Sequence, residues 1–170
     1  VPGDRHPHDQ LMINDREFLQ GAAFLRLINY GEQIAIAHPS WIHSSIYLIE
    51  TNTSKSAVLF KLSTKPKSAW SFTLSSQEES ALDILYKNYP DFTVFIGLIC
   101  HKDGICCIAQ QRLWSILDKD AGISGQHLSV SRQPHGSYHV SGPGRQQMEQ
   151  TVPQSDWPRV VFASRENSYE

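Results

Sequence analysis

The sequence is short of the features that would give it away. Its longest apolar run, Phe92 to Cys100, is broken by Thr93 and Gly97 and falls far below the ~18 residues expected of a membrane helix. Charge of one sign is lacking too. Fifteen Lys and Arg against seventeen Asp and Glu leave a formal charge of −2, which excludes a strongly cationic polymer binder and a polyacidic tail while leaving room for a local basic patch. Three cysteines are few and odd in number for a disulfide framework, so a reducing, cytoplasmic setting is expected. The first ten residues contain Asp4, His6, His8 and Asp9 and show no apolar signal segment. No Gly-x-Ser-x-Gly elbow, His-Glu-x-x-His pair or Gly-Lys-Ser/Thr phosphate loop occurs. Ser141-Gly142-Pro143-Gly144-Arg145 has the glycines of a phosphate loop alone and is expected to be a flexible turn.

What remains is the material of one domain: 170 residues, 40% of them hydrophobic, enough to bury ~70% of the unfolded surface around a core. Residues 1–13 are expected to form a poorly ordered tail, 14–162 a single globular domain, and 163–170 a second tail. Asn14 with Glu17 predicts a helix start. Phe18, Ala22, Leu25 and Ile28 recur at helical spacing as its core stripe, and Gly31 suits a left-handed cap. Period-two patterning then predicts strands near Ile34–Ile36, over 45–50 and 57–62, and a short one at 70–74. Ser75 or Ser76, each three residues before a glutamate, opens a second helix with Ala81, Leu82, Leu85 and Tyr89 inward and Pro90 at its end.

Phe92 to Cys100 suits a central strand covered on both sides. Asp103-Gly104 predicts a two-residue turn, which sets Cys100 opposite Cys107 and His101 opposite Cys106. A returning strand over 105–109 and a helix over 110–117 follow. Pro134-His135-Gly136 predicts a hairpin loop with Gly136 left-handed and with Val130 facing Val140, Ser131 facing His139 and Ser129 facing Ser141. This hairpin spans about 127–142, and a loop over 143–156 leads to a docking segment with Trp157, Val160, Val161 and Phe162. The expected fold class is α/β or α+β: a single mixed sheet with flanking helices plus a C-terminal β-hairpin.

The chemistry concentrates between Phe60 and Thr73. Lys61, Lys65 and Lys67, with Lys55 shortly before them, crowd this region next to Ser63, Thr64 and Trp70. Ammonium groups and hydroxyls can hold phosphates and an aromatic face can stack a base, so DNA or RNA is the expected partner. The main expectation is a binding module without catalysis or cofactor.

Helix, strands leading to a lysine, then helix and buried strand make a layout that resembles the restriction-endonuclease-like core. That resemblance implies a Mg²⁺-dependent nuclease in which Glu50 matches the first acid and Lys61 the lysine. Leu59 stands where the second acid belongs, so an acid would have to come from Glu32, Glu78 or Asp83. The runs from Lys61 to Lys65, Trp70 to Thr73, Cys100 to Ile105 and Tyr138 to Gly142 also resemble a set of small uncharacterised bacterial proteins, to which no activity attaches.

Two further groups of side chains carry chemistry. Cys100, His101, Cys106 and Cys107 have a zinc-like inventory, but strand alternation splits them between two faces, and buried thiols are expected instead. His127, His135 and His139, near Ser129, Ser131 and Arg132, give the hairpin a polar face able to bind an anion or serve acid–base chemistry; an alternative is an inhibitor or accessory subunit whose polar hairpin or tail docks on a protein partner.

Overall fold

A computed structural model describes residues 12–118 and 120–163. Both expected tails therefore lie almost wholly outside the described residues. Helix α1, Asp15–Ile28, starts where expected: Asn14 Oδ1 accepts the Glu17 backbone N–H at 2.8 Å. Strands β1 (Ala35–Ala37), β2 (Ile46–Glu50) and β3 (Lys55–Ser63) form an antiparallel meander. Strand β4 (Trp70–Thr73) precedes α2 (Ser76–Asn88), which Ser75 and Glu78 close with a reciprocal capping box. After α2 come β5 (Thr93–Cys100), β6 (Ile105–Ala109), α3 (Gln110–Trp114), β7 (His127–Ser131), β8 (His139–Ser141) and α4 (Asp156–Phe162).

The expected single sheet is in fact two. One sheet has the order β1-β2-β3-β5-β6, with β3 and β5 parallel, and the other is antiparallel with the order β4-β7-β8. The short strand at 70–73 causes the division. It leaves the main sheet and pairs with the C-terminal hairpin, Trp70 opposite Val130 and Thr73 opposite His127. The inward residues of the small sheet, Trp70, Phe72, Leu128, Val130 and Val140, join Ile46, Leu59, Leu98 and helix α2 in one core. On the other face of the main sheet α1 and α4 cover Ile49, Val58, Phe60, Phe95 and Ile99. Strand β5 lies between these cores, as its two-sided apolar pattern requires. Gly97 has a specific use there. A Cβ on it would lie 2.9 Å from the Phe60 ring, so its bare backbone lets Phe60 lie across the strand.

Four local expectations need correction. Leu19, Ala23 and Leu27 face the core, whereas Phe18, Leu25 and Ile28 point outward at 57%, 58% and 57% exposure, and Ala22 is exposed as well. The helix is apolar on two opposite faces, so periodicity alone could not choose between them. Tertiary partners choose: Arg16 donates to Ser44 O at 2.8 Å and Trp157 Nε1 to Ala23 O at 3.1 Å.

The β5–β6 connection is not a two-residue turn. Ile99 pairs with Ile105, and Cys100 N donates to Gly104 O. This puts Cys100 and Cys106 in one core and Cys107 in the other, a shift from the expected pairing. The turn instead releases the Asp103 carboxylate to bond with the hairpin.

In that hairpin the expected register holds at all three pairs. The left-handed position, however, is taken by His135 (φ 66°) within a turn closed by Gly136 N donating to Gln133 O at 2.9 Å, the place a type II turn assigns to the residue two after its start. Finally, the stretch after β8 is more tied down than a loop. Tyr138 bridges Val152 and Ser141 bridges Gln147.

Candidate functional site

The residues of the Phe60–Thr73 stretch do not form one surface. Along a strand six residues span ~20 Å, so Lys55 and Lys61 sit at opposite ends of β3. Lys55 is half-buried, its Nζ 5.8 Å from the centre of the Phe92 ring. Glu50 is its register partner. The acid and the lysine suggested by the nuclease-like layout are thus held apart, and Leu59 is fully buried.

Lys61 has another partner. Its Nζ donates to both Glu78 carboxylate oxygens at 2.7 and 2.8 Å, and little of either side chain reaches solvent. Glu78 Oε1 also accepts the Ser75 backbone N–H at 2.9 Å. Of the three candidate acids, Glu78 alone meets Lys61. Glu32 is exposed after α1, and Asp83 pairs with Lys87 on the outer face of α2. A single carboxylate already bound by an ammonium does not fit a Mg²⁺ centre, which needs free oxygen ligands. Among the described residues no three His, Cys, Asp or Glu side chains are grouped to hold a metal.

Trp70 is 1% exposed and cannot receive a base on its face. Its role is to anchor: Nε1 donates to Lys65 O at 2.9 Å, while Lys65 Nζ donates to Ala69 O at 2.7 Å. These bonds shape the loop between β3 and β4, which presents Thr64, Lys65 and Lys67 to solvent.

At this end of the main sheet, the carboxyl end of the parallel pair, other chain segments converge. His101 N donates to Ser63 O at 3.0 Å, so the β5–β6 turn with His101 and Lys102 lies against the end of β3. Lys102 Nζ stands 6.0 Å from the Phe18 ring centre, which brings in the first turn of α1. Arg16 there lines a cleft of about 300 Å³ with Gln20, Ser45, Lys61, Ser71, Thr73 and Glu78.

The cleft opens on the outward face of the small sheet. Thr73 Oγ1 and His127 Nδ1 are 2.7 Å apart, and Ser71 stands opposite Ser129. With Ser131, His139 and Ser141 on the alternate, outward positions of the hairpin, this face is polar throughout. His135 lies apart, on the hairpin turn. The sequence did not single out Arg16, Lys102, Ser71 or Thr73. The helix, strand and turn that carry them are far apart in the chain.

Arg132 does not serve the polar face. It binds Asp103 through Nε and Nη2, at 2.9 and 2.8 Å, and Tyr138 O–H donates to the same carboxylate at 2.9 Å. The Arg132 bonds hold the Asp103 carboxyl below its usual range. Burial pushes the Tyr138 phenol up, as it does the thiols of Cys100, Cys106 and Cys107. All three thiols are free and buried, and their split between two cores excludes a common zinc ion. The Ser141–Arg145 segment leads into no helix. Gly142 instead packs on the backbone of Ile116.

No helix among the described residues is long and apolar enough to cross a membrane. Comparison with protein-family models and with curated proteins finds no match to this chain.

Proposed function

We propose that this domain is a non-catalytic binding module that contacts single- or double-stranded nucleic acid at the carboxyl end of the β3–β5 pair. One observation supports it most: Arg16 lines a polar cleft at this end of the sheet, and Lys65, Lys67 and Lys102 are exposed on two separate connections at the same end. Such cations take phosphate oxygens, and the hydroxyls of Ser71 and Thr73 add neutral donors beside them. Lys61 is spent on Glu78 and shapes the cleft instead of meeting phosphate. Trp70 buttresses the loop. Asp15 and Glu17 stand on either side of Arg16 in the first turn of α1, so affinity is modest and governed by salt.

The test is titration of labelled single- and double-stranded DNA and RNA at low and physiological salt. Lys65→Ala, Lys67→Ala and Lys102→Ala combined should lower low-salt affinity about tenfold or more, and each lost phosphate contact should flatten the salt slope by ~0.9 on duplex DNA. Lys55→Ala, at the far end of β3, should change nothing. Salt-insensitive binding, or equal losses from Lys55→Ala, would count against the assignment.

A further inference from the structure

We propose that α1 is a self-association surface through which two copies of this chain pair with their helices antiparallel. The helix buries Leu19, Ala23 and Leu27 against the sheet. At 100° per residue, the stripe of Phe18, Gly21, Leu25 and Ile28 stands on the opposite side. More than half of each large side chain in that stripe is exposed, and Met12 and Ile13, just before the helix, are exposed at 68% and 72%. Ordinary surface helices are polar there.

The order of residues along the stripe identifies the occupant. Its centre is small, Gly21 and Ala22, and a Cβ added to Gly21 meets nothing within 4 Å. A two-fold axis between these residues sets Phe18 of one copy on Leu25 of the other, twice. Asp15 and Arg26 are eleven residues apart and lie on the same flank of the helix, beside Ala22. The same axis brings Asp15 of one copy near Arg26 of the other, also twice. Neither makes an ion pair among the described residues. Self-complementarity of this kind, apolar centre and charged flank under one axis, is what an isologous interface requires. The antiparallel arrangement also sets each helix's positive end beside the other's negative end.

Size limits the strength. Fourteen residues make a helix ~21 Å long, and one face of it is smaller than the ~800 Å² per partner of a standard stable interface. The dimer is therefore weak and concentration-dependent.

Sedimentation velocity of the full chain, from low to high micromolar concentration, is the test. The weight-average sedimentation coefficient should climb from the monomer value toward the dimer value. Leu25→Glu should hold it at the monomer value while leaving thermal unfolding unchanged, because Leu25 contributes nothing to the core. Arg26→Glu should weaken association about tenfold, and adding Asp15→Lys to it should restore most of that loss by exchanging the two charges. A wild-type chain that stays monomeric throughout would overturn the proposal, whether residues 1–11 or nothing covers the stripe. Association indifferent to Leu25→Glu would overturn it equally, and charge reversal without rescue would refute the antiparallel pairing.

Discussion

Asp103 and Arg132, twenty-nine residues apart, face each other through two parallel hydrogen bonds of 2.8 and 2.9 Å and thereby tie the main sheet to the small one. The carboxylate sits on the β5–β6 turn and the guanidinium at the end of β7. Tyr138 completes the clamp from above, and Gln154 Nε2 donates to the Asp103 carbonyl at 2.8 Å. Arginine suits this place because its planar fork matches a carboxylate.

Replacing Asp103 by Asn should cost about 2–3 kcal/mol, since it strands a partly buried guanidinium. The pH dependence has a definite sign. The folded-state pKa of Asp103 is depressed, so its contribution is complete above the ordinary carboxylate value of ~3.9. It fades as pH falls through the lower folded value. Denaturant unfolding at neutral pH and again in acid should show the wild-type advantage over Asp103→Asn shrinking in acid. An advantage that grows on acidification would contradict the depressed pKa.

Lys61 and Glu78 form the second polar clamp. Lys61→Met should destabilise by about 2–4 kcal/mol, because the Glu78 carboxylate is then left buried with only its capping bond. Glu78→Gln keeps an oxygen for the Ser75 amide and should cost less, about 1–2 kcal/mol. In a double-mutant cycle the two losses should fall well short of adding. Additive losses would mean that the ion pair contributes little.

Gly142 is fixed by space. A Cβ there would lie 2.0 Å from the Ile116 carbonyl oxygen, a backbone atom that cannot swing aside. Gly142→Ala should therefore cost about 3 kcal/mol or more through displaced backbone. A thermal midpoint within a degree or two of wild type would show that the α3 end and the hairpin separate easily.

Thiol reactivity reports on the two cores. Cys100, Cys106 and Cys107 are buried with pKa values pushed up by that burial, so thiolate is scarce and shielded. A chromogenic disulfide reagent should find almost no reactive thiol in the native domain and three after denaturation. Rapid native-state reaction at one site would place that cysteine nearer the surface than it stands here.

Local chemistry was readable from the sequence wherever neighbours in the chain decide the outcome. The Asn14 and Ser75 caps, the two-faced apolar run of β5 and the register of the C-terminal hairpin each depend on a few adjacent residues, and each is realised. Patterns with two equivalent solutions were not readable. Helix α1 carries two apolar stripes, and only the sheet beneath it, with Arg16 held by Ser44, selects Leu19, Ala23 and Leu27 for the core. Asp103-Gly104 suited a tight turn until Arg132, Tyr138 and Gln154 claimed the aspartate from distant segments.

The candidate site divides the same way. The lysines were visible in the sequence, but their fates were not. Six residues of extended strand separate Lys55 from Lys61, and Glu78 on the following helix takes Lys61 out of solvent. Trp70 is drawn inward by its pairing with Val130. Lys102 comes to the same end of the sheet as Lys65 and Lys67 because β3 and β5 pair in parallel, and Arg16 is held there by α1 and its bond to Ser44. Composition and periodicity determine which segments become helix or strand, since those choices rest on short-range sterics and capping. Which face is buried, which charge is paired and which cations share a surface are long-range outcomes, decided only when the sheets pack.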